Sequence, residues 1–128
     1  DLFIEVHRLT RKALPPEERY ELSSQLRRAA YSVPANIVEG SARQYRKEKF
    51  HFLSIAAASL AEVWYGLHAA HRLGYLAPAH YEALELQVRQ VAAPLNGLLE
   101  RYRSGNPVEG VSSTGSLRAP QARVPRGA

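Results

Sequence analysis

Two groups of side chains have the types and spacing to do chemistry, and both lie between residues 25 and 49. The first is a polar stripe. Gln25, Arg28, Ser32, Asn36, Glu39 and Arg43 recur at steps of three and four, which places them along one face of a helix. Solvated helix faces are ordinarily filled with Lys, Glu and Gln, whereas Ser and Asn are poor helix formers. Pro34 stands among them, and a proline inside a helix loses a backbone hydrogen bond at a cost of about 3 kcal/mol. Three readings stay open: a kinked packing helix with a solvated side, a helix that restarts at Ser32, or a stripe that makes specific polar contacts.

The second group is basic. Arg27, Arg28, Arg43, Arg46, Lys47 and Lys49 cluster toward the end of one helix and the start of the next, with Tyr31 and Tyr45 among them. Such cations hold phosphates by releasing counterions, without choosing a sequence. Tyrosine rings stack on unpaired bases, each stack worth about 1–3 kcal/mol. Positive charge at a helix start opposes the dipole, so Arg46, Lys47 and Lys49 do not serve helix stability there. Glu39 and Glu48 weaken the field, and a solvated surface with local ion pairs is the competing reading.

Catalytic readings find little support. His68 and His71 share a helix face with Glu62 about two turns away, but neither stands in a Glu-x-x-His pair of the carboxylate-bridged bundle type. His51 and His80 have no obvious partner. Ser59 has no histidine at helical spacing and no nucleophile-elbow context, so it is expected to pack as a small residue at a helix crossing. No glycine-rich phosphate loop is present. The expectation is a protein without catalysis, metal or cofactor.

The elements that must position these residues are helical. Leu2, Val6, Leu9 and Ala13 predict a first amphipathic helix with Asp1 at its positive end, stopped by Leu14-Pro15-Pro16. Glu17 and Glu18 are expected to open the second helix. Its apolar face, Leu22, Leu26, Ala30, Val33 and Ile37, adjoins the polar stripe, and Gly40 and Ser41 allow a break. The third runs from about Arg46 to Leu73 on a seam of Leu53, Ala56, Leu60, Val63, Leu67 and Ala70, with Gly74 as its cap and Pro78 beyond. Leu84, Val88, Val91, Leu95, Leu98 and Tyr102 mark the fourth, with Pro94 expected to kink it. Trp64 and Tyr65 are adjacent on the third helix, so one ring is expected in the core and the other outward or in a subunit contact. The fold predicted is all-α, an antiparallel up-and-down four-helix bundle over residues 1–103. Residues 104–128 are rich in Gly, Pro, Ser and Thr, with Arg118, Arg123 and Arg126 opposed only by Glu109. They read as a disordered basic tail.

Composition narrows the partners. The chain has 128 residues, room for one domain with a real core, and no cysteine, which excludes disulfides and thiolate zinc sites. Net charge is +5 and the pI about 9.8, a bias toward polyanions. No apolar run approaches the ~20 residues of a membrane span, and no signal-peptide pattern opens the chain. The basic residues gather at turns and do not flank one apolar face, which argues against a membrane surface. A cytoplasmic protein is expected.

Several separated motifs carry a resemblance. Leu26-Arg27-Arg28-Ala29-Ala30, Ser32-x-Pro34-Ala35-Asn36-Ile37-x-Glu39-Gly40, Arg43, Lys47-Glu48, Phe52-Leu53-x-Ile55-Ala56 and Ser59-Leu60-x-Glu62 follow in order. Together with Ala70-x-x-Leu73-Gly74-Tyr75-Leu76, the opening Asp1-Leu2 and the entry from Pro16 to Tyr20, this resembles the 23S rRNA intervening-sequence proteins, also called the four-helix-bundle protein family. The resemblance covers most of residues 1–103. It departs at Ala58, where glycine is expected, and at the bulky Trp64 and Tyr65, and the tail has no counterpart.

The resemblance implies a non-catalytic four-helix bundle assembling into a ring-shaped homopentamer. A related bundle, the accessory variability determinant of diversity-generating retroelements, is a basic pentamer that binds nucleic acid and its reverse transcriptase. Two surfaces are therefore expected. RNA or DNA would contact Arg27, Arg28, Arg43, Arg46, Lys47, Lys49 and Tyr45. The subunit contact would use Gln25, Ser32, Asn36, Glu39 and Trp64, with Arg28 reaching Glu39 of a neighbour. The alternative is a scaffold for a protein partner such as a reverse transcriptase, without direct nucleic-acid binding.

Overall fold

In a computed structural model, the structure describes residues 1–18 and 21–104. Four helices account for nearly all of them: α1 (Leu2–Lys12), α2 (Leu22–Ala42), α3 (Arg46–Arg72) and α4 (Pro78–Arg103), with no strand among the described residues. Each helix packs on its neighbours in the chain, α2 on α3 most extensively, and α1 closes lightly onto α4. This is the expected all-α bundle. The proposed tail falls, beyond Ser104, outside the described residues.

The periodic apolar positions form the core. Val6, Leu26, Val63, Leu67 and Leu84 are its most completely enclosed large side chains, each contributing about 1.5–3 kcal/mol by leaving water. All six seam residues predicted on α3 are buried. On α4, Leu84, Val88 and Leu95 are buried while Val91, Leu98 and Tyr102 pack half-exposed at the edge. Leu99, outside the predicted heptad, is buried instead of its neighbour Leu98. Asp1 caps α1 by accepting from the Phe3 N–H at 2.9 Å.

The course of α2 differs from expectation. Glu17 and Glu18 belong to a 3-10 turn, Pro16–Glu18, and α2 starts afresh at Leu22 after the non-helical backbone of Glu21 (φ −114°, ψ −91°). Helix α2 neither restarts at Ser32 nor breaks at Gly40. It runs through Pro34 to Ala42. Gly40 lies inside the helix, and a Cβ there would sit 3.1 Å from the Phe52 Cβ on α3, so the missing side chain admits the neighbouring helix. Pro78 begins α4, where a backbone N–H would have no intrahelical acceptor and proline's lack of one costs nothing.

The α2–α3 seam has a fixed antiparallel register. Leu26 meets Gly66, Ser32 meets Ser59 and Gly40 meets Phe52. The connection is only residues 43–45, turning through extended backbone at Arg43 and Tyr45.

Candidate nucleic-acid and subunit interfaces

The polar stripe of α2 faces α3, and its centre is a hydrogen-bonded cluster. The Ser59 hydroxyl on α3 donates to the Ser32 hydroxyl at 2.7 Å. Asn36 Nδ2 donates to the same hydroxyl at 2.9 Å and to the Ser32 carbonyl at 2.8 Å. Ser59 is buried and Ser32 and Asn36 are half-buried, so the cluster sits at the water's edge. Asn36 keeps its amide oxygen uncommitted among the described residues. The three side chains line an open hollow of about 430 Å³ whose rim carries Arg28, Tyr31 and Glu62. Gln25 lines a second hollow one turn away, with Ala61, Glu62 and Tyr65. Ser32 and Asn36 thus share one hollow, Gln25 lines its neighbour with Glu62 on both, and Glu39 lies beyond them, ion-paired with Arg43 of its own chain.

The six cations do not make one patch. On the continuous helix, Arg27 and Arg43 are separated by about 24 Å at 1.5 Å per residue. Arg28 faces the α2–α3 hollow, whereas Arg27 lines a hollow against α1. At the α2–α3 corner several charges have internal duties. Lys49 Nζ donates to the Gly40 and Ser41 carbonyls at 3.5 and 3.3 Å, closing the C-terminus of α2. The Arg43 guanidinium lies 4.8 Å over the Phe52 ring. Arg46 approaches Tyr102 of α4, whose hydroxyl pKa is raised by burial and partly lowered again by that cation. Lys47 and Tyr45 are exposed at the same corner. The signals for Lys49 and Arg46 were absent from local spacing, because their partners are on other helices.

On the other side of α3 an aromatic ladder joins α4. Trp64 stacks on His68 (5.5 Å, 11°), and His71 stacks on Tyr81 (4.7 Å, 6°). Trp64, 41 % exposed, does not enter the core, and neither does Tyr65 at 64 %. Small, buried Val63 and Gly66 take the core positions beside them. Tyr81 donates to Glu85 Oε2 at 2.9 Å, and Arg89 pairs with Glu85 Oε1 at 2.6 Å. The i, i+4 spacing of Tyr81, Glu85 and Arg89 is a readable signal. No group of three metal-ligating side chains gathers among the described residues.

Glu85 makes a pH prediction. The Tyr81 hydrogen bond, with help from Arg89 and Trp64, holds its carboxyl below the ordinary 4.5. A depressed folded pKa adds stability above the unfolded value that is lost as pH falls through the folded one. Wild type should therefore exceed Glu85→Gln in melting temperature at pH 7, and the gap should close below about pH 4.5. A gap independent of pH would assign the difference to packing.

Helix α3 also presents an exposed stripe, His51, Ile55, Ala58, Glu62 and Tyr65, at alternating steps of four and three. Ala61 beside it lines the hollows on both flanks, and the α4-side hollow is formed with Trp64, Val88 and Asn96. Contrary to the reading of short apolar runs, α3 has an 18-residue window of mean hydropathy 1.2, long and apolar enough by composition to cross a membrane. The central helix of a packed bundle meets the same description, and 39 % of that window is buried.

Residues 1–97 match the model of the 23S rRNA-intervening sequence protein family. The chain belongs to that family. Its fold is shared with the crystal structure of a protein of unknown function from the S23 ribosomal protein family of Bacteroides thetaiotaomicron, with a TM-score of 0.72. That likeness covers 77 % of this chain and 92 % of the other, at 22 % identity. No curated protein matches the sequence. The intervening-sequence match ends at residue 97, within α4.

Proposed function

We propose that this intervening-sequence family member is a non-catalytic, cytoplasmic homo-oligomer, a pentamer by the family resemblance, that holds structured RNA or DNA on its basic surface. The observation that carries the reading is the uncovered ridge of α3. A central helix apolar enough to be wholly enclosed keeps Ile55, Ala58, Ala61 and Tyr65 at the surface between two hollows. Ridges flanked by hollows suit helix-on-helix packing. The spare amide oxygen of Asn36 and the rim charges Arg28 and Glu62 supply polar contacts that set register. Repetition around a ring multiplies a weak basic corner into an avid one.

One observation favours a second reading, an oligomeric scaffold for a protein partner such as a reverse transcriptase. Lys49 and Arg43 already serve their own chain, which leaves less of the corner for phosphates. Size-exclusion chromatography with light scattering, with and without a structured RNA at two salt concentrations, separates the readings. The expected result is a mass near five times 14.3 kDa, shifted by RNA at low salt and released at high salt. An oligomer indifferent to RNA supports the scaffold, and a monomer overturns both. Lys47→Glu should weaken RNA binding several-fold and flatten its salt dependence by about one phosphate contact. Unchanged affinity would remove Lys47 from the surface.

A further inference from the structure

A hollow of about 300 Å³ lies between the end of α1 and the start of α2, at the opposite end of α2 from the basic corner. Thr10 and Arg11 of α1, Pro15 and Pro16 of the connection, and Ser23 and Arg27 of α2 line it. Ser23 is 3 % exposed, yet its hydroxyl meets no hydrogen-bond partner among the described residues. The hydroxyl is not sealed off, since Arg43 Nε is the one fully enclosed polar side-chain atom without a partner among the described residues, so it opens onto the hollow that Ser23 lines. Thr10 is equally enclosed but donates to the His7 carbonyl at 2.9 Å, so its proton is engaged. Arg11 and Arg27 belong to no ion pair among the described residues.

Ser23 is also the second residue of α2, whose N-terminus has no side-chain cap and no acidic residue in its first turn. Helix starts expose unpaired N–H groups and positive potential. The end of α1 gives Arg11 a dipole to oppose, but that explains neither Arg27 nor the idle Ser23 hydroxyl. Glu21 and Glu17 are exposed nearby and do not line the hollow. Two guanidinium groups, a hydroxyl and an uncapped helix start, walled by two prolines, fit one chemistry.

We infer that this hollow binds a phosphate group carrying two charges, as inorganic phosphate or as a terminal monoester. A diester offers one charge and no free end, and suits the exposed corner better than a half-open hollow lined by two arginines. The inference does not depend on the α2–α3 corner or on nucleic-acid binding.

The test is isothermal titration of the full chain with inorganic phosphate at fixed ionic strength. One saturable site per chain is expected. The Arg11→Gln/Arg27→Gln double variant should bind at least tenfold more weakly, and Ser23→Ala several-fold more weakly, with circular dichroism unchanged. Arg72→Gln, at an exposed cation at the end of α3, should bind as wild type. Absence of saturable binding, or equal binding by the double variant, would overturn the site. If the double variant loses helicity, Ser23→Ala decides alone, and wild-type affinity in it counts against the site. A second arm compares oligonucleotides of one sequence ending in a 5′-phosphate or a 5′-hydroxyl. A phosphate-dependent gain lost in Arg11→Gln/Arg27→Gln supports a terminal monoester, and no gain beside saturable inorganic phosphate binding supports the free anion.

Discussion

Gly66→Val is expected to lower stability by about 1–3 kcal/mol, the usual cost of overpacking a filled core. A Cβ at Gly66 would stand 2.6 and 2.8 Å from Cδ2 and Cγ of Leu26. Leu26 is 1 % exposed and has nowhere to retreat. For a domain this size each kcal/mol moves the melting temperature by about 4–8 °C. Leu26→Ala alone should cost about 2–5 kcal/mol by opening a cavity. The two together should cost less than their sum, because the valine methyls enter the space that leucine vacates. Urea denaturation of the four proteins measures the coupling. Strict additivity would mean that the two helices do not meet at this pair.

The other large effect is on assembly. Ala58→Glu/Ala61→Glu places two carboxylates on the uncovered ridge of α3. In the free chain both face water, so helicity should change little, while melting falls by what assembly contributed. Buried unpaired in a subunit contact they should cost about 4 kcal/mol or more, roughly a thousandfold in association. Light scattering should then report a single chain. An oligomer of unchanged mass would place the contact elsewhere, and the groove around Ser32 and Asn36 would lose its proposed role.

How far the sequence spoke depended on the range of each interaction. Periodicity is a property of one helix, so the buried α3 seam from Leu53 to Ala70 could be read directly. Pairings between helices could not. Pro34 and Gly40 read as interruptions, yet Asn36 and Ser32 bridge the turn around Pro34 while Gly40 admits Phe52. Lys49 read as a phosphate ligand, and its ammonium instead reaches α2 carbonyls eight and nine residues back. Trp64 and Tyr65 invited a choice of which ring to bury. The answer was neither, because Val63 and Gly66 occupy the inward positions. Ser23 gave no local signal, since its isolation depends on how α1 and the Pro15-Pro16 connection pack against it.

The short corner between α2 and α3 has a kinetic consequence. Its pairs, 40 with 52, 32 with 59 and 26 with 66, spread outward from three linking residues. The chain can therefore zip from the corner, each turn closing a loop only slightly longer than the last. Such a local hairpin is a natural nucleus, on which the short α1 and the following α4 dock later. In stopped-flow kinetics, damage along the seam is then expected to slow folding, and damage on α1 to speed unfolding with the folding rate nearly unchanged.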